Sequence, residues 1–218
     1  MSVLRAAALS LGVATLGSAQ QAVSFRASDG GQVCAELYGN GARGVVLAHG
    51  GRFKKESWRE QARALVSEGF RILAIDFRGS GCSTGPAEAF EKDVLAAVRY
   101  LKERGAKTVS VVGGSFGGGA AGDASILSAP GEIDRIVFLG AEPNLSADKL
   151  KSRSLFIVAR DDSNGAGPRL PGIRVQYEKA PEPKELIVLD GSAHAQFLFQ
   201  TDQGPRVMRE ILRFLTAP

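Results

Sequence analysis

The chain has 218 residues, 44% hydrophobic and 23% charged, with a formal net charge of +4. That size and balance fit one globular domain with a sizeable core and exclude a low-complexity chain. The basic residues are scattered, which reads as a solvated surface rather than a nucleic-acid face.

Residues 1–19 differ from the rest. Arg5 is their only charge, Ala6 to Leu16 is moderately apolar, and Gly17-Ser18-Ala19 places small residues before a cut after Ala19. This is the pattern of a secretory signal peptide, which makes 20–218 the mature domain and the protein secreted or periplasmic. A retained N-terminal helix would leave it cytoplasmic, and a mitochondrial presequence would carry more arginines. Beyond this segment no apolar run reaches the roughly 18 residues of a membrane span, so no stable membrane insertion is expected.

Val23 to Arg26 and Gln32 to Tyr38 read as a hairpin turning at Ser28-Asp29-Gly30-Gly31. Gly44 to Ala48 is a buried strand that runs into His49-Gly50-Gly51. Ser57, with Glu60 three residues on, predicts a capping box opening a helix to about Ser67. Phe70 to Ile75 is the next strand, ending in the glycine-punctuated Asp76-Phe77-Arg78-Gly79-Ser80-Gly81-Cys82-Ser83. Phe90, Val94, Ala97, Val98 and Leu101 give helical spacing over 87–104.

Val109, Val111 and Val112 then make a short β-branched strand that meets Gly113-Gly114-Ser115-Phe116-Gly117, with helix-compatible residues after it. G-x-S-x-G between a strand and a helix is a nucleophile elbow. The turn lifts the hydroxyl off the sheet and aims a helix N-terminus at the same point. Arg135 to Leu139, Ser154 to Ala159 and Glu185 to Leu189 are further strands. Gly172 to Val175 is either a short strand or the end of a loop. A helix over 206–215 closes the chain. Strands alternating with helices after a hairpin predict a mostly parallel sheet covered on both faces.

A serine hydroxyl needs an imidazole to take its proton, and the imidazole needs a carboxylate to hold its tautomer. The chain has two histidines, His49 and His194. The order Ser115, then an aspartate at Arg160-Asp161-Asp162, then His194 is the one expected when the elbow sits on such a sheet. The two cysteines, Cys34 and Cys82, form no C-x-x-C motif and cannot build a zinc site alone. No cofactor or metal is called for.

These pieces, H-G-G at 49–51, D-F-R-G-S-G-C-S at 76–83, G-G-S-F-G-G at 113–118, V-A-R-D-D at 158–162 and G-S-A-H at 191–194, resemble the α/β-hydrolase superfamily. Within it the chain looks most like the dienelactone-hydrolase and esterase type. The resemblance implies an eight-stranded α/β sandwich and hydrolysis of a carboxylic ester or related acyl bond in a small-molecule substrate. It assigns Ser115 as nucleophile, His194 as base and acid, and Asp162 as the triad acid, with Asp161 and then Asp76 as alternatives. It places the oxyanion hole at the backbone N–H groups of Phe116 and Gly51, with His49 structural. Thioesterase, lysophospholipase and peptidase share these residues, whereas epoxide and haloalkane chemistry use an aspartate nucleophile. A non-catalytic binding module on the same fold is the non-enzyme alternative. In the family's sheet the second strand runs beside the fourth, which would bring Cys34 near Cys82. The connection 140–153 is too short for a cap domain, which predicts an open cleft walled by Phe53, Phe116 and Phe197.

Overall fold

The computed structural model describes residues 20–86 and 88–218. The segment 1–19, expected to be a signal peptide, and the expected start of the second helix at Ala87 lie outside the described residues. Eight strands form one sheet: β1 (Gln21–Arg26), β2 (Gln32–Tyr38), β3 (Arg43–Ala48), β4 (Phe70–Ile75), β5 (Thr108–Gly114), β6 (Arg135–Leu139), β7 (Arg153–Ala159) and β8 (Lys184–Leu189). Their order across the sheet is β1-β2-β4-β3-β5-β6-β7-β8. β2 is antiparallel to both β1 and β4, and every other pair is parallel.

The central strands are β-branched and apolar because both their faces are buried. In β3, Val46 and Ala48 face one core while Val45 and Leu47 face the other. The first core lies under α2 (Phe90–Glu103), α3 (Phe116–Leu127) and α4 (Leu170–Lys179), through Val94, Ala97, Ala120, Ala124 and Ile173. The second lies under α1 (Arg59–Ser67) and α5 (Gly204–Thr216), through Ala62, Leu65, Val207, Ile211 and Phe214. Burying each of the larger of these side chains contributes roughly 1.5–3 kcal/mol.

Three local expectations are corrected. Gly172 to Val175 is neither strand nor loop end but part of α4. Its Pro171 sits in the first turn, where no amide donor is needed, and Ile173 and Tyr177, four apart, pack on the first core. The capping box at Ser57 does not form. Lys55–Trp58 is a 3-10 turn, and the Ser57 hydroxyl donates to the Lys54 carbonyl instead, at 2.6 Å. The segment after β7, expected only as a loop, carries a short hairpin pairing Ser163–Asn164 with Gly167–Pro168.

Cys34 and Cys82 are joined in a disulfide, with their Cα atoms 5.8 Å apart. The bridge ties β2 to the loop after β4. Arg78 pins the same loop, pairing with buried Asp93 and with Asp29 in the hairpin turn. The guanidinium holds the Asp29 carboxyl down at about 2. Among the described residues, the β6–β7 connection holds a single 3-10 turn, Ala147–Lys149, and no cap domain. No described helix is long and apolar enough to cross a membrane.

Candidate active site

Ser115 stands between β5 and α3 with φ 49° and ψ −118°, a left-handed backbone that a side chain adopts only at a local cost. The close approach of α3 to β3 holds it there. A side chain at Gly117 would begin 2.4 Å from the Ala48 carbonyl oxygen, so only glycine lets the helix seat against the strand end. The Ser115 amide donates to the Leu139 carbonyl at 3.0 Å, which fixes the elbow to the end of β6.

Three expected residues converge. The Ser115 hydroxyl lies 2.7 Å from His194 Nε2, and His194 Nδ1 lies 2.7 Å from Asp162 Oδ2. With Nδ1–H donating to the carboxylate, Nε2 is left free to accept the serine proton. Asp162 is fully buried. Asp161 points to solvent, its amide committed to the Gly191 carbonyl at 3.0 Å. Asp76 is buried elsewhere. It pairs with Lys55 Nζ at 2.6 Å and accepts the Lys55 amide at 2.8 Å, fastening the loop after β3 to the end of β4.

Gly140, at φ +54°, lets the pair close. A side chain there would begin 2.9 Å from Asp162 Oδ2 and 3.0 Å from His194 Nδ1. His49 faces backbone: its Nδ1 donates to the Gly50 carbonyl at 2.8 Å, and its Nε2 accepts the Phe77 amide at 3.3 Å. Burial lowers its pKa below the usual histidine value, in keeping with a neutral ring.

Gly51 and Phe116 face each other across the elbow, a side chain at Gly51 beginning 3.9 Å from Phe116 Cβ. Among the described residues neither amide donates to another protein group. Gln196, which the sequence reading passed over, is buried behind them. Its Oε1 accepts the Gly50 amide at 2.7 Å and its Nε2 donates to Ser57 Oγ at 2.5 Å. It therefore links the loop carrying His194 to the loop carrying Gly51. The only trace of this in the sequence is one amide in the apolar run A-Q-F-L-F.

Two further side chains were not anticipated. Arg169 Nε lies 3.5 Å from Asp162 Oδ1, and Glu142 lines the cleft beside Ser115. Of the expected wall residues, Phe116 and Phe197 are exposed, and Phe53 packs on Phe197 with ring centroids 4.9 Å apart. Phe116 also meets Phe77 and Phe90 edge to face, at 5.1 and 4.6 Å. Among the described residues no group of three or more His, Cys, Asp or Glu is placed to hold a metal ion.

The family model of the alpha/beta hydrolase fold matches residues 44–199, and the chain belongs to that family. The chain is 31% identical over 121 residues to a non-heme haloperoxidase from Rhodococcus erythropolis, a span of 55% of this chain and 44% of that protein. It is 37% identical over 105 residues to epoxide hydrolase A from Mycobacterium tuberculosis, 46% of this chain and 31% of that protein. These matches thus span less than half the length of either relative. The fold is also that of an esterase from Exiguobacterium antarcticum, with a TM-score of 0.74 at 16% identity over 90% of this chain and 100% of the other.

Proposed function

We propose that this hydrolase-family chain is a serine hydrolase that cleaves a carboxylic ester or related acyl bond through an acyl-enzyme. The observation that carries the reading is the unbroken hydrogen-bond chain Ser115–His194–Asp162, 2.7 Å at each step. Ser115 Oγ attacks the carbonyl carbon while His194 Nε2 takes its proton. Buried Asp162 stabilises the imidazolium, and the Gly51 and Phe116 amides receive the charge that develops on the carbonyl oxygen. His194 then returns the proton to the leaving group. Water, activated by the same imidazole, releases the acid and restores the serine.

The epoxide hydrolase among the relatives raises a different chemistry, but the elbow here holds a serine, not the aspartate nucleophile of epoxide chemistry. The esterase with a similar fold supports an acyl substrate only by analogy. We also read the mature protein as exported, secreted or periplasmic, on the pattern of residues 1–19 and on the disulfide, which an oxidising compartment favours. A fluorophosphonate, which esterifies an activated serine, tests the central reading: it should label Ser115.

A further inference from the structure

A cleft of about 360 Å³ opens beside Ser115 on the side of β6 and α4, walled largely by polar groups. Its charged and amide side chains are Glu142, Asn144, Arg169 and Gln176. Two of these already have hydrogen-bond partners, and a third has a looser ion pair. Asn144 Nδ2 donates to Asp123 at 2.8 Å, Gln176 Oε1 accepts the Ala147 amide at 3.0 Å, and Arg169 faces the buried Asp162 carboxylate at 3.5 Å. Glu142 is different. It is half-buried, and among the described residues it has neither a hydrogen-bond nor an ion-pair partner. Burial raises its carboxyl pKa. The Arg169 charge opposes that rise, while the neighbouring Asp162 adds to it and His194 opposes it. Its Oε1 lies 3.6 Å from where a side chain at Gly172 would begin, so glycine on α4 leaves room beside the carboxylate. A partly desolvated carboxylate with no protein donor can take a cationic group of a substrate as its partner.

We propose that Glu142 is a specificity-determining residue for the hydrolysis proposed above, and that it selects substrates bearing an ammonium or other cationic group in this cleft. The inference rests on the serine-hydrolase reading. A cation supplies the partner that the fold withholds from Glu142, a neutral isostere leaves the carboxylate unpaired, and an anion is repelled. Glu142 touches no reacting atom in this scheme, so its effect falls on KM more than on kcat.

The test is a matched panel. On the acyl side, p-nitrophenyl 4-(trimethylammonio)butyrate is compared with its neutral isostere, the 5,5-dimethylhexanoate. On the leaving-group side, acetylthiocholine is compared with 3,3-dimethylbutyl thioacetate. The half-ester p-nitrophenyl glutarate supplies the anion. The wild type should favour the cationic member of one pair by about tenfold or more in kcat/KM, mostly through KM. Glu142→Gln should bring that ratio close to one, and Glu142→Asp should keep part of it. No preference in either pair, a preference that survives in Glu142→Gln, or a preference for the glutarate would overturn the proposal; the last would give the cleft to Arg169. Calorimetric binding of butyltrimethylammonium to wild type, Ser115→Ala and Glu142→Gln reads the same claim without turnover. Binding that is kept in Ser115→Ala and lost in Glu142→Gln supports it, and equal binding to all three, or none to the wild type, refutes it. Activity that persists in Ser115→Ala would instead sink the serine-hydrolase reading.

Discussion

At the residue scale, adjacent carboxylates divide the roles. Asp162 is turned inward by the chain reversal after β7, where its amide donates to the Ala159 carbonyl at 3.2 Å, while Asp161 faces solvent. Asp162→Asn should therefore lower kcat by about 10³–10⁴-fold, because the amide favours the wrong imidazole tautomer. Asp161→Asn should stay within a few-fold of wild type, and comparable losses in both would contradict the assignment. Gln196→Met in the same assay should lower kcat more than it raises KM, since it frees the loop carrying Gly51 without touching substrate. Ser115, His194 and the Asp161-Asp162 pair were legible in the sequence because each follows a strand with a clear apolar pattern, and the choice of Asp162 came from the family resemblance. Glu142, Arg169 and Gln196 were not. Each is an ordinary polar residue in a loop or at a helix start, and only the packing of distant segments brings Glu142 and Arg169 into the cleft and Gln196 behind the loop carrying Gly51.

Among the elements, strands were the easiest to read and helix boundaries the hardest. Five of the eight strands, β3, β4, β6, β7 and β8, rest on apolar runs of four residues or more, β5 rests on three valines, and β1 and β2 show as the arms of a hairpin. α4 was missed because L-P-G-I-R-V-Q-Y carries proline, glycine and two β-branched residues, and tertiary packing outweighs their poor propensity. The Cys34–Cys82 bridge acts at this scale, joining β2 to the loop that also supplies Phe77 to the aromatic wall. It closes a loop with a sequence separation of 48, which in the chain-entropy account stabilises by about 4 kcal/mol. Protein recovered from its host should begin at Gln20, show no free thiol when unfolded without reductant, and lose on the order of 10 °C in Tm on reduction. Two titratable thiols in that unreduced sample would contradict the bridge.

Over the whole molecule, one sheet edge gathers the site. The loops after β3, β5, β6, β7 and β8 converge at the carboxyl ends of parallel strands, where this architecture places ligands. Only 140–152 separates β6 from β7, so no separate layer closes over Ser115 from that connection. Desolvation must come from the aromatic rims at Phe53, Phe77, Phe116 and Phe197, with the polar cleft opposite. Across p-nitrophenyl esters from acetate to palmitate, kcat/KM should peak at short chains and show no jump at a lipid interface. A steady rise toward palmitate, or activation above the lipid's critical concentration, would contradict an open cleft. The central claim is that Ser115 is an activated nucleophile. It is tested most directly by mass analysis of peptides after fluorophosphonate treatment of the folded protein. One adduct is expected, on Ser115, lost in His194→Ala and on denaturation, with ester hydrolysis falling in step with labelling. An unlabelled Ser115 in protein that still hydrolyses esters would contradict it.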